Sequence, residues 1–369
     1  MQRRVFTKVL GAGAAFLPAA AAGAQGREGI KVGVITHAGG AHLDAYFAAL
    51  AEADEVAAVS LSDPGGQNVD DAREALGTKL SAVYDEPATL IREQRPVMAL
   101  VSMEAALAPP AIEVALRAGC HVMAEKPACV RIADFRGLHE LAKTNDLHLM
   151  LALANRLNPE VREARRLIGE GMMGRIYGVE AHLIADQTRL TRPAYHKTWY
   201  AKRSRGGGGH LIWLGIHWLD LATFLTGSGI VEVAGFKGVV GGQPLDVEDS
   251  AAIAMKFANG AFGTMTSGYY LDKGYHSQIK IWGSHGWLEI RRHGGLPLSW
   301  YSRKEHNPRI HRIEEFPEPS GYTPFVKACV RASAGLEEPP LTVDDSLRAL
   351  QTVFACYQAA ETGRAQLVG

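Results

Sequence analysis

The chain reads as an α/β half built on a doubly wound parallel sheet, followed by an α+β half built on a large, mostly antiparallel sheet. Over residues 30–154 short apolar runs alternate with helical patterns, the spacing of parallel βαβ units. Beyond residue 155 long runs of strand composition follow one another, which implies antiparallel or mixed pairing. The length, 369 residues, allows two domains of ordinary size.

The elements are expected in this order. In the first half, strands fall at 31–35, 56–61, 97–103, 121–124 and 148–153, and helices at 42–53, 68–76, 87–95, 109–118 and 132–145. Crossovers between them should be right-handed. In the second half a helix at 159–170 stops at Gly171, and strands follow at 176–184, 231–240, 251–257, 261–269, 277–282 and 287–291. Asn259-Gly260 reads as a two-residue hairpin turn. A last helix covers 344–362, so the domains are residues 30–154 and 155–369. All six tryptophans (Trp199, Trp213, Trp218, Trp282, Trp287 and Trp300) lie in the second half. Some belong to a core, and others suit the apolar face of a sugar ring. A sheet face rich in Trp and Tyr would equally serve a homo-oligomer.

Apolar residues make up 47% and charged residues 21% of the chain, a globular composition. The formal charge is zero, which gives no global electrostatic case for nucleic acid or a membrane surface. Residues 1–24 read as a signal peptide. Arg3-Arg4-Val5-Phe6-Thr7-Lys8 fits a twin-arginine pattern, an Ala- and Gly-rich run follows, and Ala22-Gly23-Ala24 is an A-x-A cleavage site. The run is too short and too rich in small residues to span a bilayer core of about 20 residues, so no stable membrane anchor is expected. Export of the folded protein to the periplasm follows. Cys120, Cys129, Cys329 and Cys356 show no C-x-x-C pair. Four buried thiols are expected, with a disulfide as the alternative in an oxidising compartment.

Two stretches carry the chemistry. Glu125-Lys126-Pro127 follows the apolar run 121–124, which sets Lys126 at the carboxyl end of a strand, where open α/β sheets collect ligands. A lysine there holds a substrate hydroxyl and helps to move its proton. The bland alternative is a surface lysine on a turn. The second stretch is Gly206-Gly207-Gly208-Gly209-His210, running into a helix that is apolar on nearly every side. Such a helix is buried, so His217 in its middle needs a partner or a task. An imidazole can take a hydroxyl proton while hydride leaves the same carbon, although a lone histidine on an apolar helix is more often a satisfied core group. Helical periodicity places residues 210, 213 and 217 on one face. His210 would then supply a polar group beside Trp213. No metal is expected; a bend at the glycine run would make a His-based site the alternative.

With Ala115-Leu116-x-Ala118-Gly119-x-His121-Val122 before Glu125-Lys126-Pro127, and Gly215-x-His217-x-x-Asp220 after it, the chain from 31 to about 348 resembles the Gfo/Idh/MocA family (glucose–fructose oxidoreductase, inositol dehydrogenase, rhizopine catabolism). The resemblance implies a Rossmann domain that binds NAD or NADP, a substrate domain, and oxidation of a sugar, sugar derivative or polyol. It implies cofactor contacts from Thr36, His37, Ala38, Gly39, Gly40, Asp63, Met103, Glu104, Glu125 and Lys126. It implies catalysis by Lys126 and His217, to which the shared helix face adds His210, and a cis bond before Pro127. Substrate contacts are expected from Tyr200 and Trp213, and from Asn155 and Arg156, for which a polar domain hinge is the alternative. His196, Lys197, Tyr200, Lys202, Arg203 and Arg205 form either a solvated basic loop or a lid over a polar or anionic sugar.

The chain also departs from the family pattern. The three glycine positions of the first turn hold Thr36, Ala38 and Ala41. Leu61 stands where the ribose-binding acid is expected, with Asp63 two residues late. Met103-Glu104-Ala105 replaces the family's Thr-Pro-Asn, and Trp213 takes the place of its Asp. These changes support two rivals: a lyase or hydrolase working without nicotinamide, and a non-catalytic sugar-binding protein. An exported enzyme should find no free nicotinamide pool, so its cofactor would be held tightly and recycled.

Overall fold

The computed structural model describes residues 29–271, 274–293 and 295–369; the expected signal peptide, residues 1–24, lies outside them. Six short apolar runs pair in parallel: β1 (Ile30–Thr36), β2 (Val56–Ser62), β3 (Leu80–Tyr84), β4 (Met98–Ser102), β5 (His121–Ala124) and β6 (Leu149–Leu151). Their order is β3-β2-β1-β4-β5-β6. Helices cover both faces, so β4 is buried throughout and β1 from Val32 onward, and both read as nearly continuous apolar runs. The order reverses between β1 and β4, and the loops leaving their carboxyl ends part to form a crevice. The sequence pattern missed β3. Leu-Ser-Ala-Val-Tyr is an edge strand of mixed polarity with one neighbour, so burial imposes little pattern on it.

The second sheet holds β7 (Ile176–Asp186), β8 (Ile230–Gly238), β9 (Ser250–Phe257), β10 (Phe262–Leu271), β11 (Tyr275–Gly283), β12 (Gly286–His293), β13 (Leu298–Ser302), β14 (Ile310–Ile313) and β15 (Gln366–Leu367). Their order is β14-β13-β12-β11-β7-β10-β9-β8-β15, antiparallel except for β7 with β10. This is the α/β plus α+β architecture expected. β13, β14, β15 and the helix Tyr322–Ser333 were not anticipated. The strands are short, and the helix shows its period only through Phe325, Val326, Cys329 and Val330. The Asn259-Gly260 turn is one residue longer than expected. Phe257 N bonds to Ala261 O at 2.9 Å, and Gly260 adopts φ +85°, so three residues close the hairpin.

Two segments lock the halves together. The last helix, Val343–Thr362, opens with a capping box between Thr342 and Asp345. Its Ser346 Oγ bonds to Leu149 O at 3.0 Å and accepts from Leu151 N at 3.2 Å, so it covers the free edge of the parallel sheet. Further along, the Tyr357 hydroxyl donates to Glu248 Oε1 at 2.7 Å. That carboxylate also accepts from Gly209 N at 2.8 Å and Leu211 N at 3.0 Å. The glycine run is therefore a packing device. A Cβ on Gly209 would stand 1.9 Å from Glu248 O. Residues Leu211–Gly215 then form a π turn before the α-helix Ile216–Thr226 begins. All four cysteines are free thiols and buried. Among the described residues no helix is long and apolar enough to cross a membrane.

Candidate active site

The crevice begins where β1 ends. Thr36 Oγ1 donates to Ser102 O at 2.8 Å and ties the ends of β1 and β4 together. The loop that follows turns its amides inward. Gly39 N donates to His37 Nδ1 at 2.7 Å, Gly40 N to His37 O at 2.9 Å, and Ala41 N to Ser102 Oγ at 3.0 Å. The helix Leu43–Glu52 starts after His42, which has φ 57° and gives no side-chain cap. Its first-turn N–H groups and the positive end of its dipole remain for an anion. A cleft of about 870 Å3 opens there, walled by Ala38–His42 on one side and by Arg189, Arg192, Trp199 and Arg205 on the other.

These residues fit the diphosphate of a dinucleotide. They do not supply the acid that usually holds its ribose. Leu61 is buried, and the Asp63 carboxylate is committed to Asn68, accepting from its N at 2.7 Å and its Nδ2 at 3.1 Å. Glu104 follows the half-buried Met103 and is ion-paired with Arg205. Trp199 Nε1 donates to Gly39 O at 2.8 Å, so the 199–205 stretch lies against the cofactor loop.

Lys126 stands just past the end of β5, and the Lys126–Pro127 peptide that follows it is cis, as the resemblance implies. It is buried, 2% exposed. Its Nζ donates to Trp213 O at 2.8 Å, lies 3.2 Å from the Trp213 ring centroid, and is 3.6 Å from Glu125 Oε1. Burial drives its pKa down to about 8, with Glu125 opposing. Glu125 is also buried. Desolvation works against its charge, but His42, Lys126 and the Tyr46 hydroxyl outweigh it and hold the carboxyl below its ordinary value. Trp213 thus caps the lysine with a cation–π contact. Tyr200 stacks on its ring at 5.5 Å and Trp199 meets it edge-on at 5.0 Å. The aromatic stack closes over the lysine.

His217 lies beside this group, buried, with no partner for Nδ1 among the described residues. Burial, then the positive neighbours Lys126, His42 and Arg292, push its pKa well down, so the ring is neutral and keeps an acceptor lone pair. His210 does not join it. The π turn breaks the 3.6-residue period on which a shared face depended, and His210 meets β10 instead. Its Nδ1 is 2.5 Å from Ser267 Oγ, and its ring is edge-on to Tyr269 at 4.4 Å. Burial takes its pKa to about 3.

Asn155 and Arg156 behave differently from each other. Arg156 is spent on ion pairs: Nη2 and Nε hold Asp220 at 2.6 and 2.9 Å, and Nη1 holds Asp345 at 3.0 Å. Those contacts are those of a hinge, and no donor fork is left for substrate. Asn155 reaches a second cavity of about 210 Å3, lined also by His217, Trp218, Tyr275, Arg292 and Tyr322. Arg292 donates to Asn155 Oδ1. Sequence reasoning missed Arg292, Tyr275 and Tyr322. The one available sign was Arg291-Arg292-His293 at the end of an apolar strand, where successive residues face opposite sides and one arginine must point inward. Among the described residues no cluster of three or more His, Cys, Asp or Glu is arranged to hold a metal ion.

A crevice at the switch point of a β3-β2-β1-β4-β5-β6 sheet, backed by a second sheet carrying a polar pocket, defines a two-domain dinucleotide-binding protein. Family models agree in both halves. Residues 30–153 match the oxidoreductase family with an NAD-binding Rossmann fold, and residues 161–289 match the GFO/IDH/MocA C-terminal domain. The chain belongs to the GFO/IDH/MocA oxidoreductase family. It is 28% identical over 174 residues to levoglucosan dehydrogenase from Pseudarthrobacter phenanthrenivorans, a match covering 41% of this chain and 44% of that protein. It is 24% identical over 237 residues to myo-inositol 2-dehydrogenase from Thermotoga maritima, covering 63% and 67%. The structure of an oxidoreductase domain protein from Kribbella flavida superimposes with a TM-score of 0.82 at 22% identity, covering 93% of this chain and 100% of that one, which shows the shared fold.

Proposed function

We propose that the protein is an NAD(P)-dependent oxidoreductase acting on a sugar, sugar derivative or polyol. The observation that carries this is a buried Lys126 that lies within electrostatic reach of His217 on one side and, through Trp213, borders the cleft at an uncapped helix N-terminus on the other. The nicotinamide would accept hydride from a carbinol carbon. The helix Leu43–Glu52 would hold the diphosphate with its first-turn amides. The neutral His217 would take the hydroxyl proton. Lys126, with its pKa near 8, would donate a hydrogen bond to the same oxygen and steady the charge that develops there. A substrate reaching Nζ replaces the Trp213 ring that now covers it, so Trp213 and Tyr200 would move with binding and then exclude water.

The twin-arginine pattern motivates a periplasmic location. There the cofactor would stay bound and be restored in each cycle. One observation favours a nicotinamide-independent reading: the loop amides are already taken by His37 and Ser102, and Trp199 rests on Gly39. Denaturing the purified protein and measuring released nucleotide decides between them. Release of NAD or NADP, together with nicotinamide reduction on a panel of sugars and polyols, is expected. No release, no binding on titration and no reduction would refute the oxidoreductase reading.

A further inference from the structure

The cavity beside His217 contains a cation, Arg292, that forms no ion pair among the described residues. Arg292 ends β12 and reaches this cavity, where its partner is the neutral amide oxygen of Asn155. Glu160 lies within its electrostatic reach but forms no ion pair with it, and burial raises that carboxyl's pKa. Tyr275, on the cavity wall, accepts a bond from Arg189 at 2.7 Å, which adds a second cation. Lys126 is covered by Trp213 but lies within electrostatic reach of His217, and Glu125 is already shared among Lys126, His42 and Tyr46. A guanidinium partly removed from water without a carboxylate is unfavourable. The same fold pairs Arg156, the residue immediately after Asn155, with two carboxylates, so acidic partners are used where only structure is required.

We propose that this cavity is a carboxylate-binding subsite, that the substrates are sugar acids of the uronate or aldonate class, and that Arg292 anchors their carboxylate. The proposal rests on the reading of the His217 pocket as the substrate site. A planar carboxylate matches the guanidinium fork in two parallel hydrogen bonds. A volume of about 210 Å3 suits a monosaccharide. A negative charge placed on Arg292 also makes His217 a stronger base, since the charges of Lys126 and Arg292 now oppose its protonation.

Isothermal titration calorimetry on the full chain tests this with glucuronate, galacturonate and gluconate, each set against glucose, galactose and glucitol. At least one acid is expected to bind about 10–100-fold more tightly than its neutral counterpart. Arg292→Met should abolish that preference, bringing the acids to the affinity of their neutral counterparts measured on the same variant. Arg292→Lys, which keeps the charge but loses the fork, should retain part of it. Equal binding of acids and neutral sugars, no binding of any acid, or a preference that survives Arg292→Met would overturn the proposal. Nicotinamide reduction is read separately. Acid preference without reduction removes the oxidoreductase reading and leaves the subsite standing; reduction of neutral sugars without acid preference does the reverse.

Discussion

Arg156 lies in the turn Ala154–Leu157 and Arg292 bonds to it through Asn155, and the two are handled in opposite ways. Arg156 meets Asp220 and Asp345 in an arrangement that uses its whole fork. It ties the helix Ile216–Thr226 to the start of the last helix and so fixes the backbone that carries His217. Arg292 meets one amide oxygen and an open cavity. A buried pair is costly to break because the survivor is left charged in a poor solvent, whereas a half-buried cation with no ion pair stores an unmet demand. The first belongs to the scaffold, and the second gives the pocket its appetite for an anion.

The largest expected effect breaks the scaffold side. Asp220→Ala leaves Arg156 with Asp345 alone and should destabilise the fold by about 3–5 kcal/mol, read as a lower Tm or urea midpoint. Arg292→Met should leave Tm unchanged or raise it, since it removes a charge that nothing compensates. A large loss of stability in Arg292→Met would erase the contrast.

Next comes the chemistry. His217→Ala should lower kcat for nicotinamide reduction by about 10²–10⁴-fold while the fold survives. His210→Ala should act mainly on stability, because its ring packs on Ser267 and Tyr269 away from Lys126. Comparable kcat losses in the two variants would return His210 to the site.

A pH effect follows from the same histidine. Folding depresses the pKa of His210 to about 3, below the ordinary 6.5, so the unfolded chain binds the proton first. Its contribution to stability is complete above pH 6.5 and is lost as pH falls from 6.5 toward 3, on the order of a few kcal/mol across that window. Melting curves of the wild type should therefore fall faster than those of His210→Gln as the medium is acidified. Parallel curves would show that the ring is not held neutral by the fold.

The smallest effect sits on the rim. The Arg205 side chain is 46% exposed in its pair with Glu104. Arg205→Gln should cost less than about 1 kcal/mol, and less still at high salt. A larger change in Tm, or one insensitive to salt, would mark that pair as part of the closed aromatic cover and not its edge.

Much of this molecule is local in origin. The alternation over residues 30–154 comes from burial on both faces of a parallel sheet, and it is strong because every turn of helix and every strand meets it. Lys126 could be placed because a strand end is a local event, and so could the last helix, whose capping box is written in Thr342 and Asp345. The edge strand β3 and the short strands β13, β14 and β15 escaped, since one neighbour or a few residues leave almost no periodic trace.

The site divides along the same line. Residue order alone put a lysine at the mouth of the crevice and a histidine on a buried helix. It could not reveal that five residues of π turn would rotate His210 away from His217, because the helical period assumes the turn it is used to predict. Nor could it show Trp213 seated on Lys126, or Arg292, Tyr275 and Tyr322 gathered from distant strands and a helix around His217. Periodicity records that a face is buried. Which other segment buries it, and whether that segment brings a counter-charge, is settled by long-range packing, where two arginines of the same type became a strut and an anion seat.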